Sequence, residues 1–357
     1  MPDRPGLLVT GATGVLGSAL LPLLDRHDVV ALTHPAGLDE SGVASVRGDL
    51  TQPRLGLDVA TYRELVARTT TVVHSAAVTD FGVGEPGTSA LNVDGTRRVL
   101  DLAAEAGARV LYVSTAFVAR TGLTSEARGA SRWEAEASPD PYLASKRRAE
   151  ALVTGSGLPA TIARPSVVIG DSVTGAVSRW QGLHWVIRGL LRNAMPIVPL
   201  SRTAPLDVVP VDVAAQALAA LVEADLPSGE FWLTAGPAAH PAADLADTCL
   251  RTAERLGLPA DPPRFVPRDM VERLFRPVFI DPLPLRDRRR FDEFMAMSAL
   301  FDGAPVFPTS LGSLPGGPPA LTRDAVAAAV AATVADVASR LPAARRRAAA
   351  EAAEEAA

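Results

Sequence analysis

The chain has 357 residues, enough for one large domain or two unequal ones around a well-filled core. A hydrophobic share of 48% and a charged share of 21% are those of a globular protein, and a formal charge of -5 lacks the concentrated basic face that nucleic acid requires. A single cysteine, Cys249, excludes an intrachain disulfide, and no Cys/His group has zinc spacing; both fit a reducing cytoplasm.

In chain order, MPDRPGLLVTGATG opens without a charged-then-apolar leader, so no signal peptide is expected. GLLVTG (6–11) reads as a strand, VLGSALLPLLDRH (15–27) as a helix and DVVALTH (28–34) as a strand. VASVRGDL (43–50) is a short strand ending at Asp49, and TTVVHSAA (70–77) a further strand. A helix over 92–107 closes at Gly107; then come a strand over 108–115, a helix over 142–157 and a strand over 160–170. This alternation buries parallel strands under helices on both faces. The expected fold class is α/β, a Rossmann-type doubly wound parallel sheet over 1–170, completed by parts of 205–236.

Beyond Gly170 the regularity fades. HWVIRGLLRNAMPIVP (184–199) reads as an amphipathic helix, 205–224 as a strand and helix, and 229–236 as a strand. Residues 259–320 show no clean period, and 321–341 form a last helix. Residues 171–341 are expected to build a smaller substrate-binding cap, and 342–357 a frayed Ala/Arg/Glu tail. The longest apolar run, 325–338, is short, alanine-dominated and broken by Asp336, so no membrane span is expected.

Two stretches carry chemistry. In VTGATGVLG, Gly11, Gly14 and Gly17 permit a tight turn, backbone approach to a pyrophosphate and close helix–strand packing, with Thr10 and Thr13 as hydroxyl donors. In DPYLASK, Asp140 caps a helix with Pro141 at its first position, which sets Tyr142 and Lys146 one turn apart on one face. A free phenol has a pKa near ~10, and a lysine cation beside it would lower that value toward the working range. Alone, each stretch also reads as a glycine-rich turn or a solvated helix face. The histidines are scattered, and His74, inside a strand, reads as structural; RDRRRF (286–291) is either a phosphate contact or a solvated basic turn.

The ordered series VTGATGVLG, HSAAVTDF, NVDGT, YVSTAF, YLASK and ARPSVVIGDSVTG resembles the extended short-chain dehydrogenase/reductase superfamily. It is most similar to the thioester-reductase and fatty acyl-CoA reductase branch, the male-sterility type of NAD-binding domain, over roughly residues 6–235. The resemblance implies catalysis by Thr115, Tyr142 and Lys146, with Lys146 also on the nicotinamide ribose. It implies cofactor contacts from Thr10, Gly11, Thr13, Gly14, Val15, Leu16 and Gly17, from His34, from Asp49 and Leu50 beside the adenine, and from Ala76, Ala77, Ser114 and Tyr142. Pro165 and Val168 would border the nicotinamide, and Val78, Phe117, Asp171 and Thr174 the substrate; Asn92 bridges backbone groups instead.

At the end of the second strand, Thr33-His34 is neither acid nor arginine, Asp39 and Glu40 follow late, and Arg47 stands near. With no acid there and a reductive branch, NADPH is the expected cofactor and NADH the alternative. The implied function is hydride transfer to an acyl thioester on CoA or a carrier protein, or to the derived aldehyde. A nucleotide-sugar epimerase or dehydratase, a hydroxysteroid-type dehydrogenase and a dinucleotide-sensing protein are the competing readings.

Overall fold

Short runs of Val, Leu, Ile and Ala form a parallel sheet whose central strands are buried along their length, as they must be when helices cover both faces. The computed structural model describes residues 4–34, 42–80, 83–120, 140–224, 226, 228–301 and 305–342, and only the backbone of Asp140, Arg286, Arg289 and Arg290. The strands are β1 (Gly6–Thr10), β2 (Asp28–Thr33), β3 (Ala44–Arg47), β4 (Thr71–His74), β5 (Arg109–Val113), β6 (Ala160–Pro165) and β7 (Ser228–Leu233). Their order is β7-β6-β5-β4-β1-β2-β3, all parallel. This is the Rossmann-type α/β fold. The order reverses between β1 and β4, which is where such sheets open a crevice for a ligand.

Helix α1 (Val15–Leu20) is shorter than the expected 15–27. Pro22 lacks an N–H, and the chain tightens into a 3₁₀ turn over Leu21–Leu23. Helix α2 (Val59–Arg68) starts at Asp58, whose carboxylate accepts from the N–H groups of Ala60 and Thr61. Helix α3 (Thr96–Ala106) ends at Gly107, with φ of 63°, and is preceded by a π-helical turn, Ser89–Gly95, that a 3.6-residue pattern does not reveal. Helix α4 (Asp140–Gly155) carries Tyr142 and Lys146. Leu8, Val72, Val99, Leu102, Tyr112, Ala149 and Ile162 pack into one core between sheet and helices.

The strand expected over 160–170 is two strands. Pro165 has no N–H for the ladder, the Ser166 N–H makes the last bond to the Leu233 carbonyl, and Val167–Ile169 then pairs with Val208–Pro210. The part of 205–236 that joins the main sheet is therefore β7.

The chain divides into two units, 1–166 with 212–234 and 308–320, and 167–211 with 235–307 and 321–357. The first unit draws in 308–320: the Ser310 N–H donates to the Trp232 carbonyl at 2.8 Å. The second unit is mainly helical, with Gly182–Leu191, Ala242–Arg255, Leu285–Ala299 and Arg323–Ser339. The helix expected over 184–199 stops at Leu191, where Asn193 takes a left-handed φ of 52°. Helical turns over Arg268–Ile280, π-type around Pro277, are hidden in the sequence by that proline. Among the described residues no helix is long and apolar enough to cross a membrane, and no His/Cys/Asp/Glu group could hold a metal ion.

Candidate active site

The loop after β1 is shaped by its glycines. Gly11 has φ of +75°, and a Cβ on it would lie 2.6 Å from the Ala76 nitrogen; a Cβ on Gly17 would lie 2.1 Å from the Gly11 carbonyl oxygen. Gly14 precedes α1 and offers no capping side chain to its first N–H groups. Thr13 is exposed, Leu16 partly buried and Val15 buried. Thr10 departs from expectation as a donor: it is fully buried, its hydroxyl is 2.7 Å from His74 Nδ1, and it accepts the Ala76 N–H at 3.3 Å. That hydroxyl therefore ties β1 to β4 and does not face a ligand.

At the far end of β2, His34 is exposed, and Thr33 pairs in register with Arg47. Asp39 and Glu40 lie outside the described residues. Asp49 Oδ1 accepts from the Thr51 N–H (2.8 Å) and hydroxyl (2.7 Å), which hold its carboxyl below the usual range. Both bonds fall on Oδ1, so Oδ2 keeps its acceptor capacity. Leu50 is only 8% exposed and belongs to the core, which leaves little of it to cover an adenine.

The candidate catalytic residues lie past the end of β5 and on α4. Thr115 is buried and begins a 3₁₀ turn, accepting the Phe117 N–H, and its side chain bears on the Tyr142 phenol, where it pulls the phenol's pKa downward. Tyr142 is partly buried, and Lys146 is 3% exposed. Lys146 Nζ donates to the Val113 carbonyl at 2.9 Å and to the Tyr112 hydroxyl at 3.3 Å. The expected lowering of the Tyr142 pKa is not what the free protein provides. Burial raises the phenol to about 12 against the opposing pull of Thr115, and burial also draws Lys146 down to about 7, with Glu150 pulling it upward. The phenol is thus a held acid rather than a ready phenolate.

Asn92 bridges as the sequence suggests. Its side chain accepts the Val78 N–H (2.8 Å), donates to the Val78 carbonyl (3.0 Å) and donates to Ser145 Oγ (2.9 Å), which in turn donates to the Tyr142 carbonyl (2.7 Å). It thereby fixes the turn of α4 that carries the phenol. Ala76, Ala77 and Val78 are partly buried after β4, and Pro165 is buried at the end of β6. Phe117 is 5% exposed and Ser114 is buried. The Asp140 side chain, expected as a cap, lies outside the described residues, as do those of Arg286, Arg289 and Arg290 and all of 343–357.

Val168, Asp171 and Thr174 belong to the second unit. There Asp171 Oδ1 accepts from the Val173 and Thr174 N–H groups and from the Thr174 hydroxyl, which lowers its pKa and closes the turn on itself. A Cβ on Gly175, φ +69°, would lie 2.0 Å from the Ala332 carbonyl oxygen, so this turn is packed on the last helix. Asp171 and Thr174 are accounted for by the turn they build.

A nicotinamide dinucleotide fits the first unit's residues. The start of α1 carries no side-chain cap at Gly14, and Ser114 Oγ is buried with no hydrogen-bond partner among the described residues. Two features escape the motif reading: Tyr112 as a partner of Lys146, and the fact that Lys146 is the only lysine among 35 Lys and Arg residues. The second is legible in the sequence, since an amine that can release a proton is something arginine cannot replace.

Over residues 38–218, just over half of the chain, the sequence matches the NAD-binding family described as Male sterility protein. The chain belongs to this family. Among curated relatives it is similar to the isonitrile lipopeptide synthase of Streptomyces coeruleorubidus, 30% identical over 61% of this chain and 16% of that protein. It is also similar to the glycine betaine reductase of Emericella nidulans, 29% identical over 60% of this chain and 20% of that protein. The chain therefore spans a fifth or less of the length of these relatives. Among solved structures, the terminal R domain of the myxalamid PKS-NRPS pathway superposes with a TM-score of 0.72 at 24% identity, covering 95% of this chain and 92% of that one. A UDP-galactose 4-epimerase superposes at 0.61 with 21% identity, covering 94% and 100%. Both share the fold of this male sterility-type chain.

Proposed function

We propose that the chain is an NAD(P)H-dependent reductase of acyl thioesters borne by coenzyme A or a carrier protein, with NADPH preferred over NADH. The observation that carries this reading is the nearness of two hydroxyls, Thr115 acting on the Tyr142 phenol, which lies one helical turn from Lys146. Two hydroxyls this near can both reach one carbonyl oxygen. Relatives named as a lipopeptide synthase and as a reductase support the substrate class.

When bound, the dinucleotide supplies hydride. As negative charge gathers on the thioester oxygen, Thr115 Oγ1–H and Tyr142 Oη–H donate to it, and Tyr142 passes its proton to it. A phenol at about 12 keeps that proton until an oxygen more basic than a phenolate appears. The resulting hemithioacetal expels thiol and leaves an aldehyde, and a second reduction would give the alcohol. Lys146 would hold the nicotinamide ribose, and its cation would stabilise the Tyr142 phenolate until solvent returns the proton. Preference for NADPH is supported by Arg47, exposed in register with Thr33, where a ribose phosphate would need a cation. A reducing cytoplasm suits the single buried Cys249.

Following NADPH oxidation with a medium-chain acyl-CoA and with the same acyl group on a carrier protein tests this. Aldehyde or alcohol should form from at least one of them, and Arg47→Ala should raise KM for NADPH about tenfold with NADH unaffected. Tight dinucleotide binding without turnover would favour a sensor, and NAD released only on denaturation would favour an epimerase; either overturns the proposal.

A further inference from the structure

Lys146 sits on a buried polar chain whose donors can all be assigned. Thr96 gives its own hydrogen to the Asn92 carbonyl, so it accepts from His74 Nε2, and the Thr10 hydroxyl donates to the bare Nδ1 at 2.7 Å. His74 therefore carries its proton on Nε2 and donates to Thr96 Oγ1 at 3.0 Å. The ring is 1% exposed, and burial lowers its pKa to about 3, with the Lys146 charge adding to the effect, so it is neutral. Thr96 donates its hydrogen to the Asn92 carbonyl at 2.6 Å and can only accept from its other neighbours. Toward its neighbour, the Tyr112 phenol, Thr96 is therefore an acceptor that can take the phenol hydrogen. The phenol's lone pairs are left facing Lys146 Nζ at 3.3 Å, with the ammonium 4.9 Å from the ring centroid.

We propose that Tyr112, oriented by Thr96 and His74, is a positioning residue for Lys146: its phenol oxygen fixes Nζ beside the Val113 carbonyl and favours the ammonium form. Nothing in the chain's family likeness assigns this role. Two contacts on Nζ leave one N–H for a ligand, so the network selects which direction that donor faces. Among the described residues, the titratable and charged groups around Lys146 are Tyr142 and Glu150 on its own helix, Tyr112 on β5 and His74 on β4. Glu150 and Tyr112 favour the charge, and burial opposes it. The catalytic consequence rests on the reductase reading; the titration does not.

Because the chain holds one lysine, protein labelled with [13C,15N]lysine gives a single side-chain NMR signal, which follows Lys146 directly. Its midpoint in the wild type is expected at about 7. Tyr112→Phe should lower the midpoint by about one pH unit, the size of one charge-assisted hydrogen bond. Thr96→Val, which releases the Tyr112 hydrogen, should lower it by a smaller amount. Dinucleotide affinity of Tyr112→Phe should fall up to about tenfold near pH 8 and match the wild type near pH 5, where Lys146 is charged in both. A midpoint unchanged or raised in both variants overturns the proposal, and if Tyr112→Phe does not fold, Thr96→Val decides alone. Should the wild type reduce no thioester, the functional reading fails while the titration still judges Tyr112.

Discussion

Tyr142→Phe is expected to lower kcat for thioester reduction about a thousandfold while leaving dinucleotide affinity within about twofold. On the proposed mechanism the phenol would supply both a hydrogen bond to the developing oxyanion and the proton that ends the step, and phenylalanine removes both without changing the ring. Binding should survive because the glycine turn, Ser114 and Lys146 are unchanged, and because Asn92 and Ser145 hold this turn of α4 through the Tyr142 backbone carbonyl rather than its hydroxyl. Steady-state kinetics paired with a direct binding measurement checks the split. A loss of affinity with kcat unchanged would mean that the phenol serves binding alone.

Lys146→Met is expected to abolish reduction and yet stabilise the fold at pH 6 to 7. An unfolded lysine holds its proton up to about 10.5, whereas Lys146 in the folded chain releases it near 7. Between these values the unfolded state binds more protons, so wild-type stability rises with pH; below about 7 both states are charged and the full cost of burying the ammonium is present. Methionine fills the site without that cost. Its gain in Tm should be several degrees at pH 6 and shrink toward pH 10. Thermal unfolding at several pH values tests this, and parallel pH profiles for the two proteins would contradict it.

How much of this is legible depends on the distance over which each feature is encoded. The glycine turn and the Tyr142–Lys146 pair lie within a few residues, so type and spacing suffice. Thr10–His74 and Lys146–Tyr112 join residues 64 and 34 positions apart, and nothing local marks them. Thr10 therefore reads wrongly as a ligand donor, and Tyr112 as one more strand residue. The direction of the Tyr142 shift is also hidden, because spacing shows that a lysine is near but not how dry the site is. The strand over 160–170 looks continuous because Pro165 and Ser166 interrupt its pairing without interrupting its apolar pattern. In the second unit, Asp171 and Thr174 stand out as polar residues after a strand, though their bonds to each other complete a turn.

The claim at the centre is that Thr115 and Tyr142 act on one oxygen. A double-mutant cycle on kcat with Thr115→Val, Tyr142→Phe and the pair measures it most directly. The account predicts that Thr115→Val alone costs about a hundredfold, and that adding it to Tyr142→Phe costs less than about threefold more, since the two donors form one unit. Losses that multiply in full would show the two hydroxyls working at separate atoms, and the account would be wrong.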